Sequence, residues 1–164
     1  MRRNQLEYIR HKITGLSELG LRLSRWKLLD EKIVFTNGCF DILHRGHLEY
    51  MATASDLGSR LIIGLNSDAS VKKLKGPERP LNNENDRALA LASLHFVDAV
   101  VIFDEDTPLE LIKALKPDVL AKGGDYTPET VVGASEVKLS GGRVEIIPFT
   151  TGYSTTSLLK KIRG

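Results

Sequence analysis

A chain of 164 residues, 41% hydrophobic and 27% charged, has the composition of one globular domain with a single sizeable core. Its net charge of +2 gives no global case for nucleic-acid binding, and its one cysteine, Cys39, excludes an internal disulfide and suits a reducing cytoplasm. The charge is uneven: residues 1–30 hold seven Lys/Arg against three Asp/Glu, and the remainder holds 16 against 18, so any cationic site in the main body must be assembled locally. The basic N-terminus lacks the apolar stretch and small-residue cleavage site of a secretory signal. Apolar runs such as VDAVVIF are too short to span a bilayer.

In chain order, Leu6, Ile9, Ile13, Leu16, Leu19, Leu23, Trp26 and Leu29 step by three or four, which predicts amphipathic helix over 5–29, broken or kinked near Gly15 and Gly20. The rhythm changes after Asp30. KIVFTN reads as a short strand, and GHLEYMATASDLG as a helix closed by Gly58. RLIIGLN is the next strand, SDASVKKLKGPERPLN a polar, proline-containing loop with room for one helical turn, and NENDRALALASLH a helix. VDAVVIF is a strand; DTPLELIKALKP is a helix capped by Asp106 or Thr107; DVLAKGG is a strand and SEVKLSGG a short helix. RVEIIPF is the last strand, and STTSLLKKIRG a terminal helix. Strands are continuous apolar runs that alternate with helices, which predicts a Rossmann-like, doubly wound five-stranded parallel sheet, α/β in class. The single candidate boundary falls near Asp30, separating a helical extension, 1–30, from a domain at 31–164.

Such sheets bind ligands beyond the carboxyl ends of their strands, so the residues following each strand carry the functional signal. After the first come Asn37, Gly38, Cys39, Phe40, Asp41, His44 and His47; after the second, Asn66, Ser67 and Asp68, then Lys72, Lys73 and Lys75. FDEDTP follows the third, KGGDY the fourth, and TTGYSTT the fifth. His47 falls where a helix begins and His44 one turn earlier, with Gly46 permitting close backbone approach. A helix N-terminus presents free N–H groups and a positive dipole end, and imidazole donors there would bond phosphoryl oxygens as negative charge builds. Capping is the plainer role for such histidines. Zinc is a poorer one, because the pair lacks a third ligand beside it. Cys39, between Gly38 and Phe40, reads as a small buried residue, with a nucleophile as its rival role.

The lysines of SVKKLKGPERP form either a solvated face or a loop that closes on phosphate, with Lys75 ahead of Lys72 in the second case. Arg87 stands in the first turn of its helix, against the macrodipole, which points to an anion contact. In KGGDY, two glycines let backbone approach a ligand, and Asp125 accepts from a hydroxyl, helps hold a metal, or simply marks a turn. Ser154, Thr155 and Thr156 cap a helix and offer hydroxyls to phosphate.

GCFDILHRGH resembles the signature of the HxGH nucleotidyltransferases, the cytidylyltransferase-like group, at Gly38, Phe40, Asp41, His44, Gly46 and His47. GYSTTSLLKKI resembles the family's Ser/Thr-rich second signature, with Tyr153 where Ile is common. Within the group, FTNGCFDILHRGHLEYM, LNSDASVKKLKGPERPLN, EDTPLELI and KGGDYTPE are most similar to the adenylyltransferase half of the ADP-heptose synthases, over roughly residues 31–163. The resemblance implies a nucleotidyltransferase domain at 31–164. It would move AMP from ATP to D-glycero-β-D-manno-heptose 1-phosphate, with Mg²⁺ bridging the nucleotide phosphates and no metal ligand supplied with certainty by the protein.

Carried over by position, His44, His47 and Lys75 would be catalytic. Asn37, Gly38, Cys39, Phe40, Arg87, Lys122, Gly123, Ser154 and Thr155 would bind nucleotide with them. Asp41, Asn66, Asp68, Lys72 and Asp125 would join Lys75 at the sugar phosphate, Asp41 chiefly by ordering its turn. The resemblance also implies a cytoplasmic homodimer acting on small molecules, with neither nucleic acid nor membrane insertion. A glycerol-3-phosphate cytidylyltransferase and a non-catalytic nucleotide-binding module stay open as rivals. The first thirty residues either pack on the sheet or a second subunit, or dock a separate heptose kinase.

Overall fold

The computed structural model describes residues 4–124, 126–148, 152, 153 and 155. The expected terminal helix, apart from Thr155, lies outside them, as do Asp125, Ser154 and Thr156. Five parallel strands, β1 (Ile33–Gly38), β2 (Arg60–Asn66), β3 (Ala99–Phe103), β4 (Val119–Gly123) and β5 (Arg143–Ile147), form one sheet in the order β3-β2-β1-β4-β5. Along the inner strands successive side chains enter opposite apolar layers. Val34, Leu61, Ile63 and Val100 meet α3 (Arg45–Ser55) and α5 (Glu84–Ala92) through Met51, Ala54, Leu91 and Ala92. Ile33, Phe35, Ile62 and Leu120 meet α2 (Leu16–Leu28), α6 (Leu109–Leu115) and α7 (Ala134–Leu139) through Leu19, Leu23, Leu115 and Val137.

The N-terminal helices belong to these same layers. α1 (Gln5–Lys12) ends at Ile13, which bridges Val100, and the Thr14 N–H donates to the Val100 carbonyl at 3.0 Å. The chain thereby runs along the outer edge of β3 and crosses from one face to the other. Ile9 and Ile13 join one apolar layer, and Leu19 and Leu23 the other. This covers an edge whose peptide groups would otherwise face water. The expected break near Gly15 is real, because Gly15 is the N-cap of α2; Gly20 lies inside that helix without interrupting it.

Three local expectations change. The lysine segment is a helix, α4 (Asp68–Lys75): the Ser67 hydroxyl accepts from the Ser70 N–H at 3.1 Å, and Val71 is fully buried. One apolar anchor and a cap outweigh the polar composition. Helix α6 starts after Pro108 with no side-chain cap from Asp106 or Thr107. Helix α3 ends at Ser55 with Asp56 as its C-cap, before Gly58, which is small because a Cβ there would lie 2.7 Å from Val34 Cγ2 and 2.8 Å from the Lys32 carbonyl.

Candidate functional site

The sheet order places the topological switch point between β1 and β4. These strands pair only at Val34–Val119 and Phe35–Leu120, whereas β1 continues beside β2 to Gly38–Leu65. Where β1 and β4 part, Tyr50 of α3 fills the gap. Its hydroxyl donates to the Ala121 carbonyl at 3.1 Å and lies 2.5 Å from Thr36 Oγ1. Burial pushes this phenol up to about 12, so it stays protonated.

Above that floor lies a cleft of about 300 Å³. Asn37 to Asp41, His47, Tyr50, Lys75, Lys122, Gly123, Tyr126 and Thr155 line it. The structure therefore brings together residues of five segments that the sequence analysis could place only at successive strand ends. Lys122 Nζ donates to Asn37 Oδ1 at 3.2 Å across the switch point, and burial lowers its ammonium below the ordinary range.

His44 is the N-cap of α3: its Nδ1 accepts from the His47 N–H at 3.3 Å. A nitrogen that accepts carries no proton, so in the neutral ring the hydrogen sits on Nε2, which is then a donor. Capping and donation are thus compatible roles of one side chain. The His44 and His47 rings stack with centroids 3.7 Å apart, and the Phe40 edge meets His47 at 5.3 Å. Burial lowers the pKa of His44. Burial, then His44 and Lys75, pull His47 down to about 4, the Ile42 carbonyl opposing weakly. His47 Nδ1 is buried without a hydrogen-bond partner among the described residues. Gly46 is held small here: a Cβ would lie 3.1 Å from Tyr153 Cβ and 3.2 Å from His44 Nδ1. Tyr153 thereby packs directly on the first turn of α3, where the Arg45 guanidinium reaches its hydroxyl at 3.3 Å.

Other expected residues sit differently. Arg87 is 2% exposed and its anion partner is the chain's own Asp68 carboxylate, at 2.7 Å. Its Nη1 donates to the carbonyls of Cys39 and Asn66, and its Nε to that of Asn82. The expected phosphate contact thus gives way to a scaffold, because a buried guanidinium must first satisfy its own five donors. Asp68 is engaged with it rather than turned to a sugar. Asp41, 3% exposed, accepts from the N–H groups of Leu81 and Asn82 at 2.8 and 3.0 Å and from Arg79 Nε at 2.6 Å. Burial pushes its carboxyl up, but those donors outweigh it and hold the pKa below the usual range. Asp41 borders the cleft and orders the turn; its carboxylate is committed to the protein. Lys72 is exposed and outside the cleft lining, which Lys75 joins. Cys39 is partly exposed at the cleft wall rather than buried.

Tyr50, Arg79 and Tyr126 were missed. Tyr50 was legible in principle, three residues after His47 and hence on the same helix face. Nothing in the sequence signals Arg79, whose partner Asp41 is 38 residues away.

A parallel sheet split at a switch point, with a helix N-terminus and a basic cleft above the split, defines the Rossmann-like α/β class of ligand-binding domain. Within that class the chain belongs to the cytidylyltransferase-like family, whose model matches residues 35–161. It is 52% identical over 151 residues to the bifunctional protein HldE of Methylobacillus flagellatus, covering 92% of this chain and 31% of that protein. It is 60% identical over 131 residues to the bifunctional protein HldE of Trichlorobacter lovleyi, covering 80% and 27%. The chain thus spans under a third of the length of these curated relatives. Among solved structures it resembles the lipopolysaccharide core biosynthesis protein from Thermoplasma volcanium, with a TM-score of 0.59 and 28% identity, over 76% of this chain and 99% of that one. Pantoate-beta-alanine ligase from Francisella tularensis, at 13% identity, has the same fold with a TM-score of 0.63 over 92% of this chain and 76% of that one.

Proposed function

We propose that this chain is a sugar-phosphate adenylyltransferase: it transfers AMP from ATP to D-glycero-β-D-manno-heptose 1-phosphate, releasing pyrophosphate and giving ADP-heptose for the lipopolysaccharide inner core. The observation that carries the reading is the stacked His44–His47 pair on the N-terminus of α3, whose His47 lines a cleft together with Lys75 and Lys122. The sugar follows from the sequence blocks shared with ADP-heptose synthases and from the similarity to HldE proteins.

In this reaction a phosphate oxygen of the sugar forms a bond to the α-phosphorus of ATP. The bond from that phosphorus to the bridging oxygen breaks, and its electron pair leaves with pyrophosphate. The nucleophile is already an anion, so no general base is required, and neutral imidazoles suit the task. They donate N–H groups to oxygens that gain charge in the transition state, without an acid–base cycle. His44 offers Nε2–H, and the free N–H groups at the start of α3 add the helix dipole. Lys75 and Lys122 neutralise the two phosphates as they meet, and Thr155, with Ser154, holds the leaving end. Asn37, Gly38, Cys39, Phe40 and Gly123 form the wall on which the nucleotide packs.

Among the described residues no group of three or more His, Cys, Asp or Glu stands ready to hold a metal ion. Among the described residues lining the cleft, the carboxylate is that of Asp41, which is already committed. Mg²⁺ enters the proposal as part of the MgATP substrate. The proposal extends to a cytoplasmic homodimer; no described helix is long and apolar enough to cross a membrane.

The test is pyrophosphate release with Mg²⁺ across ATP, CTP, GTP and UTP, each against the heptose 1-phosphate and glycerol 3-phosphate. Turnover with ATP and the heptose phosphate is expected. Turnover confined to CTP and glycerol 3-phosphate would move the chain to the cytidylyltransferase alternative, and nucleotide binding without release would make it a binding module.

A further inference from the structure

A second cavity, of about 360 Å³, adjoins the cleft and shares its wall of Asn37, Gly38, Cys39, Lys122 and Tyr126. Its far side comes from other elements: the β3–α6 loop supplies Asp106, Thr107 and Pro108, and the segment after β4 supplies Thr130, Val131 and Val132. We infer that this cavity is the subsite for the polyol half of the acceptor sugar phosphate, and that Asp106 and Thr107 read its hydroxyl groups. The inference rests on the adenylyltransferase reading and adds to it the residues that choose the acceptor.

Charge sets the direction in which the acceptor lies. The first cleft has His47, Lys75 and Thr155 on its own side, the chemistry for phosphates. Among its described lining residues the second cavity has no cation beyond the shared Lys122, and it carries the Asp106 carboxylate. Asp106 repels a phosphate and accepts from a hydroxyl. The phosphate of the sugar therefore sits at the shared wall beside Lys122, in reach of the α-phosphate in the first cleft, and the neutral ring extends away from it.

Hydrogen-bonding capacity points the same way. Asp106 Oδ1 takes an exposed contact from Lys73 Nζ at 3.2 Å, and its Oδ2 takes none from any described residue. The Thr107 hydroxyl has no hydrogen bond to a described residue, and Thr130 Oγ1 donates to the Thr127 carbonyl at 2.9 Å while keeping acceptor capacity. Between these polar groups stand Leu74 and Val132, 56% and 44% exposed. Apolar groups beside hydrogen-bonding ones suit the C–H and O–H faces of a sugar. Neither Asp106 nor Thr107 caps helix α6, so helix formation does not account for them.

The experiment measures steady-state pyrophosphate release by the wild-type chain and by Asp106→Ala, Thr107→Val and the double variant. Both positions are exposed, and melting curves confirm the fold. Each lost hydroxyl partner is expected to raise KM for the heptose 1-phosphate about tenfold, with KM for ATP changed less than about twofold. An unchanged acceptor KM overturns the inference, and so does a rise in KM for ATP instead, which would place the nucleoside here. If the wild type released no pyrophosphate with any pair, the adenylyltransferase reading would fall. Calorimetric titration of the heptose 1-phosphate, with a non-hydrolysable ATP analogue present, would then decide the cavity alone. Binding weakened by the double variant upholds the subsite; equal binding, or none to the wild type, overturns it.

Discussion

The Tyr50 hydroxyl lies 2.5 Å from Thr36 Oγ1, and it donates to the Ala121 carbonyl on the neighbouring strand. Thr36 and Ala121 follow directly on the last β1–β4 pair, Phe35–Leu120. One side chain of α3 therefore takes over where the strand ladder stops, and the same helix carries His44 and His47. Tyr50 thereby ties the helix that carries the histidines to both strands at the switch point.

Tyr50→Phe keeps the ring and removes the bridge. The Thr36 hydroxyl and the Ala121 carbonyl are then left without that partner in a dry site, so a loss of about 1–3 kcal/mol is expected on denaturant unfolding. Because α3 is then free to shift, kcat falls more than the KM for ATP rises. A variant with wild-type kcat would show that the histidines are held by other contacts.

On the proposed mechanism His47→Ala removes a donor to developing charge, and kcat is expected to drop by about a hundredfold or more. The pH behaviour follows from its pKa of about 4 in the fold. An unfolded chain protonates this imidazole below an ordinary value of about 6.5, and the folded chain does not until about pH 4. Its contribution to stability is complete above the unfolded value and declines as pH falls from there toward 4. Proton NMR titration of the histidine resonances checks this: a His47 midpoint near the ordinary value would contradict the burial that lowers it.

Arg87→Ala leaves the carbonyls of Cys39, Asn66 and Asn82 without their donor and releases Asp68. A loss of about 3 kcal/mol or more is expected, in the range for breaking a buried ionic contact. Arg87→Lys is expected to recover little of it, because one ammonium cannot span four acceptors in a plane. Thermal melts of the two variants make the comparison. Full recovery by lysine would mean that charge alone matters there.

Asp41 has the opposite pH dependence to a basic group with a raised pKa. Its folded pKa lies below the unfolded one, so its contribution is present above the unfolded value of about 3.9 and is lost as pH falls through the folded one. Asp41→Asn is expected to destabilise the chain at pH 7 and to flatten the acid limb of stability. Equilibrium unfolding at pH 7, 5 and 3 measures both effects.

Much was legible without coordinates because it depends on local pattern. Apolar runs alternating with helices specify a buried parallel sheet, as β2 and β3 show. His44 and His47 mark a helix start shortly after a strand end. The helix at 68–75 was not legible, since its polar composition hides one buried anchor, Val71. Arg87 was misread because a cation in a first helical turn signals an anion without saying whose: here it is Asp68, nineteen residues away. Asp41 and Arg79, and Tyr50 and Ala121, meet only because the chain crosses the sheet and returns.

The sequence by itself determined the class of sheet and the two family signatures, since each rests on residues within about one helical turn or one strand of one another. Only the tertiary structure decided which cations reach the cleft, which carboxylates are already engaged, and that a second cavity with its own carboxylate opens behind the first. Those outcomes depend on which long-range partners a buried charge finds, and desolvation makes finding one obligatory.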